Sequence, residues 1–221
     1  MAGFTTIAVQ TLSVTVSLLA AGGIAGLSLF DVPEIQSQPA DRALPQIRWL
    51  FSRGSHIFPQ ASVLSSVGFA YLAFDALPSN LRTITQLFKT TNGLKVNGFL
   101  AAALLAFSIG PFTMNVMVPN NFALIKKNEE LGGSRSKNSA AEKRQQGIKP
   151  GQYSAEDSVN SKKPQDELRD LSGPMTKTDK DSSKADDKEV EERLAKFGQQ
   201  NMVRAILLGA GGIVGLVSAL L

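Results

Sequence analysis

The stretch FTTIAVQTLSVTVSLLAAGGIAGLSLF, Phe4–Phe30, runs for 27 residues without a charge. A bilayer core of about 30 Å needs roughly 20 apolar residues as helix. A cleaved leader has a basic start and an apolar run of about 7–15 residues. This run is longer and has no basic residue, so it reads as a retained membrane helix, ended by Asp31, Pro33 and Glu34. Working outward, Ile57–Phe74 gives 18 uncharged residues and Val96–Val118 gives 23. Pro111 lies inside the third run, where Thr113 and Asn115 are polar partners for the carbonyl that a proline frees.

The last element is Lys188–Leu221. Val190, Leu194 and Phe197 recur at helical spacing, and the same stripe continues through Asn201, Arg204, Leu208, Gly211 and Gly215. An amphipathic entry therefore feeds a short span in which 17 uncharged residues follow Arg204. Four spans put both ends of the chain on one side, while Lys and Arg are too evenly placed to fix the orientation.

Between the third and fourth spans the composition changes. Lys126–Lys196 carries 16 Lys and Arg, 15 Asp and Glu, and one aromatic, Tyr153. Such a segment buries too little apolar surface to offset the entropy of ordering, so residues 132–187 are expected to be disordered. The expected fold is all-α: an integral membrane four-helix bundle with a long disordered insert between helices 3 and 4. Its parts are residues 1–131, the insert 132–187, and 188–221.

Several functions are excluded or unsupported. The chain has no Cys, which removes thiolate metal sites and Cys nucleophiles. No nucleotide-binding glycine motif, HExxH or Gly-x-Ser-x-Gly occurs. The net charge of +4 is not gathered on an aromatic-rich basic face, so nucleic acid is not an expected partner. One His and no ligand spacing give no metal site.

The polar residues in the apolar part gather at helix ends. Trp49 suits an interfacial segment, Asp41–His56. His56 reads as a capping group or, with a pKa near neutrality, as a general base. Pro119-Asn120-Asn121 reads as a helix-end turn or as two amides facing a substrate. Arg204 either snorkels or turns inward beside Asn201. Gly22 and Gly26, and Gly211 and Gly215, have the spacing of close helix packing. In an antiparallel bundle Trp49, His56, Asn120, Asn121, Asn201 and Arg204 fall at the same side.

Three stretches carry a resemblance: WLFSRGSHIFP (49–59) running into ASVLSSVGFAYLA (61–73), then GPFTMNVMVPNNFAL (110–124), then NMVRAILLG (201–209). Their order and boundary positions resemble the anthrone oxygenase family of four-helix membrane proteins. The resemblance implies oxidation of an anthrone to an anthraquinone in aromatic polyketide biosynthesis, with no cofactor and O₂ as co-substrate. It implies an apolar aromatic small molecule, the lipid bilayer and polyketide-pathway enzymes as partners. In that setting His56 is the base, Asn121 and Arg204 contact the carbonyl or oxyanion, and Trp49 is a stacking wall. Asn120, Thr113, Asn201 and Tyr71 are further substrate contacts. The competing expectations are a non-catalytic membrane scaffold acting through its charged insert and, with less support, a small transporter.

Overall fold

The computed structural model describes residues 3–221. Four helices are long and apolar enough to cross a membrane: α1 Phe4–Gln36, α2 Ala40–Asp75, α3 Leu94–Glu130, and, late in the chain, Lys184–Leu220. No strand occurs among the described residues. The residues divide into two compact units. An apolar unit holds the chain up to Ala25, Phe58–Thr113 and Met202–Leu221; a polar unit holds Gly26–Ile57 and Met114–Asn201.

The helices start and bend for local reasons. α1 takes a π-helical turn at Leu27–Asp31, next to Pro33, and α3 takes one at Thr113–Met117, between Pro111 and Pro119. Proline lacks an N–H and its ring crowds the carbonyl four residues back, and a widened turn relieves both. The Pro119-Asn120-Asn121 stretch is therefore the start of a further helical segment to Glu130 rather than an end. Likewise Asp41–His56 is continuous α-helix within α2 rather than a separate interfacial segment. α3 stops at Leu-Gly-Gly: the Gly132 N–H bonds Glu129 O, the Gly133 N–H bonds Asn128 O, and Gly132 has φ +81°. That pair of bonds, with a left-handed glycine, satisfies the last carbonyls of a helix. A Cβ on Gly133 would fall 2.0 Å from Asn128 Oδ1.

The apolar unit carries large apolar side chains on its surface and hydroxyls within. Large side chains point outward, Phe4 at 88% exposure and Leu19 at 72%, while Ser13, Ser17, Ser62 and Ser65 are buried. Ser17 Oγ donates to Leu208 O and Ser62 Oγ to Ala106 O, both at 2.7 Å. Where the surroundings are as apolar as leucine, close backbone approach and hydrogen bonds hold helices together. Gly211 lies against the α3 backbone, and a Cβ on Gly215 would meet Phe69 at 2.2 Å. Gly22 and Gly26 face open space, so only the second glycine pair is a packing pair.

The polar unit overturns the expected disorder of residues 132–187. That segment is folded, with α4 Lys137–Gln145, α5 Ala155–Asn160 and α6 Pro164–Arg169; the fourth long helix, Lys184–Leu220, is then α7. Ser134, Arg135, Ser136, Ser139, Ser158, Glu167 and Thr178 are buried. Composition misleads here because order comes from polar pairing rather than apolar burial. Glu129 on α3 takes Lys143 Nζ at 2.5 Å and the Ser158 hydroxyl at 2.7 Å. Ser158 in turn accepts from Arg48 on α2. Burial pushes the Lys143 ammonium below the usual lysine range, against the pull of Glu129. Ser154 with Asp157 and Ser183 with Asp186 cap α5 and α7 reciprocally. The stripe Val190, Leu194, Phe197, Asn201 of α7 is buried as its spacing predicts.

Two outcomes follow. Glu129→Ala leaves Lys143 buried without its carboxylate and costs about 3–5 kcal/mol; limited proteolysis then cuts within 132–183 under conditions where the wild type resists. Gly215→Val forces a methyl group into Phe69 and costs about 1–3 kcal/mol, read as a lowered melting point in detergent, whereas Gly22→Val leaves it unchanged.

Candidate functional site

Trp49, Arg53 and His56 are spaced by four and three residues, so α2 presents them on one face. All three belong to the polar unit. The Trp49 indole N–H donates to Ser172 O at 2.9 Å, and the Arg53 guanidinium stands 5.3 Å from the indole centroid. Arg53 also donates to the carbonyls of Glu167 and Asp170, the groups that the end of α6 leaves without helical partners. His56 Nε2 lies 2.7 Å from Glu167 Oε2. The other carboxylate oxygen takes Arg135 Nη1 at 2.5 Å. Partial burial works against the Asp170 charge, yet hydrogen bonds from Ser136 and Ser172 and the Arg53 cation together hold its carboxyl below the usual range.

A cavity of about 400 Å³ opens beside Trp49. Ile35, Leu50 and Met175 give it apolar walls; Asp31, Glu34 and Lys137 bring charge. That volume is in the range of small-molecule sites. His56 is not among its lining residues; it stands two turns from Trp49, about 10 Å along the helix axis.

The remaining candidates divide between the units. In the polar unit, Asn120 is buried and its Nδ2 donates to Arg193 O at 3.0 Å, so its amide fastens α7. Asn201 donates to Ser28 Oγ at 3.2 Å. The buried amide oxygen of Asn121 accepts no hydrogen bond from the described residues. A free acceptor suits a phenol O–H, not an oxyanion. In the apolar unit, Arg204 is buried with its guanidinium 6.0 Å from the Phe58 ring centroid. Thr113 Oγ1 donates back to Ile109 O at 2.6 Å. Tyr71 is 41% exposed on an outer face.

Trp49, His56, Asn120, Asn121 and Asn201 thus share one unit, and the structure joins Trp49 and His56 through Arg53 and α6. Sequence reasoning missed Glu167, Arg135, Asp31, Glu34 and Lys137. Helical spacing from Asp31 to Glu34 was the one signal in reach. Glu167 is 111 residues from its imidazole partner, beyond any local pattern.

A family model described as anthrone oxygenase matches residues 48–153. The match takes in Trp49, His56, Tyr71, Thr113, Asn120 and Asn121 and leaves out Asn201, Arg204 and the carboxylate of Glu167. No curated protein and no solved structure matches the chain. The resembling stretches around Trp49–Ala73 and Gly110–Leu124 both lie inside the matched segment, and over that segment, just under half of the chain, the protein is similar to the anthrone oxygenase family.

Proposed function

We propose that the protein is an integral, multi-pass membrane oxygenase that turns an anthrone and O₂ into an anthraquinone and water, without a cofactor, in aromatic polyketide biosynthesis. The observation that carries the reading is the cavity beside Trp49; of its lining, Trp49, Leu50 and Lys137 fall in the segment that matches the family. Its volume and apolar walls suit a flat tricyclic molecule, and Trp49 offers an aromatic face for stacking. The four apolar helices support a bilayer setting, into which both the substrate and O₂ partition.

The chemistry is simple in its demands. The methylene between two rings loses a proton to the base and leaves an electron-rich anion. The anion gives one electron to O₂, and the two radicals join as a carbon-bound peroxide. The peroxide takes back the proton held by the base and becomes a hydroperoxide; the base then removes the second proton from that carbon, the O–O bond breaks, the carbonyl forms, and the departing hydroxide takes that proton and leaves as water. The protein supplies a base, a donor for the oxyanion and a dry wall. His56 is the base, Lys137 the cation beside the developing phenolate, and Asn121 an acceptor for a phenol O–H.

A second reading moves the base to Glu34, because Glu34 lines the cavity and His56 does not. The scaffold alternative needs charges free for an outside partner. Those of residues 132–187 that are buried pair among themselves and with α2 and α3.

Purified protein in detergent, given an emodin-type anthrone, is expected to consume one O₂ per anthraquinone formed, well above the heat-killed control. His56→Ala lowers kcat by about 10²–10⁴-fold. Loss of rate in Glu34→Gln with His56→Ala unaffected moves the base to Glu34. Trp49→Ala raises KM with kcat little changed; an unchanged KM removes the stacking wall. No acceleration by the wild type ends the oxygenase reading for these substrates.

A further inference from the structure

Glu167 has no place in the family match, which ends at residue 153. It is 8% exposed, on a short helix within the segment whose composition argued for disorder. A carboxylate so placed is held by two neighbours, the His56 imidazole at 2.7 Å and the Arg135 guanidinium at 2.5 Å. Arg135, itself buried, also donates to Ser161 Oγ at 3.0 Å. Arg53, one turn before His56, grips the backbone at the end of the same helix. So α2 holds α6 at two points, by its carbonyls and by its carboxylate.

We infer that Glu167 is the positioning residue for His56: it accepts the Nε2–H of the imidazole, which leaves the lone pair on Nδ1 as the proton acceptor. This rests on the reading of His56 as the base. The logic is that of any carboxylate behind a working imidazole. The hydrogen bond chooses the tautomer and fixes the ring plane, and the negative charge stabilises the imidazolium that forms when the proton arrives. Arg135 takes the other carboxylate oxygen and so fixes the carboxylate against the ring. Each C–H bond of the methylene breaks as its proton passes to Nδ1; the first proton goes on to the peroxide and the second to the leaving hydroxide, so the ring ends the turnover as it began. An ordinary structural ion pair would anchor α6 equally well, yet would leave the tautomer and the titration of His56 free of catalytic consequence.

His56 is the chain's one histidine, so ¹⁵N-histidine labelling gives a single imidazole spectrum. The charged groups around the ring are Glu167 from α6, Arg135 before α4, Arg53 from its own helix and Asp170 beyond α6. Of these, Glu167 is the one within hydrogen-bond distance of the ring. The experiment uses the full chain in detergent, as wild type, Glu167→Gln, and Glu167→Gln with Arg135→Gln; the double variant replaces the buried charged pair by a neutral one in case the single variant fails to fold. The wild type is expected to show the Nε2–H tautomer. Either variant shows a mixture of tautomers, with kcat down about tenfold or more and KM unchanged. A wild-type ring on the Nδ1–H tautomer, or a variant that keeps the Nε2–H tautomer unmixed, overturns the inference. So does an unchanged kcat in a variant when His56→Ala is inactive. Full rate in His56→Ala overturns the base reading beneath it, which the spectrum alone does not.

Discussion

Arg48, Arg53 and His56 sit on one side of a single helix, and none of them is solvated like a surface residue. Each must therefore find oxygen atoms within the protein, since a buried cation without partners costs several kcal/mol. Residues 132–187 supply those atoms: the Ser158 hydroxyl and carbonyl, the carbonyls of Glu167 and Asp170, and the Glu167 carboxylate. This requirement explains why the segment is folded at all. It also explains why its helices are short, because each needs only to deliver one or two oxygens to a fixed place.

The apolar unit obeys the opposite rule. Its interior mixes large apolar side chains, Phe69, Phe99 and Leu208 among them, with buried serines, and its exterior carries Phe, Leu, Ile and Val as well. The serine hydroxyls are satisfied by carbonyls of a neighbouring helix, and glycine allows the backbones to approach. The long helices pass from one regime to the other, and the widened turns that Pro33 and Pro111 impose fall near those passages.

How far the sequence reveals this depends on the range of the interaction. The apolar runs, the α7 stripe from Val190 to Asn201 and the close approach at Gly211 and Gly215 are periodic, and periodicity is visible in one dimension. Gly22 and Gly26 carry the same spacing with nothing opposite, so the pattern alone does not tell which neighbour arrives. The order of residues 132–187 was hidden by a composition rule that counts apolar area and ignores buried ion pairs. Local signs were present all the same: serine–aspartate capping boxes at 154–157 and 183–186, and the Gly-Gly stop of α3. Trp49 and His56 were found as interfacial residues; their partners Ser172 and Glu167 were not, since no spacing connects residues more than a hundred positions apart.

That separation has a consequence for how the chain is made. At roughly 5–20 residues per second, the ribosome reaches residue 167 about 6–20 s after residue 56, 111 positions earlier. Throughout that interval Arg53 and His56 lack their partners on α6, although Glu129 of α3, whose charge acts on Arg48, has already emerged. The helices α1 to α3 are therefore complete before the polar unit has all its parts, and this side of α2 stays open until α6 is made.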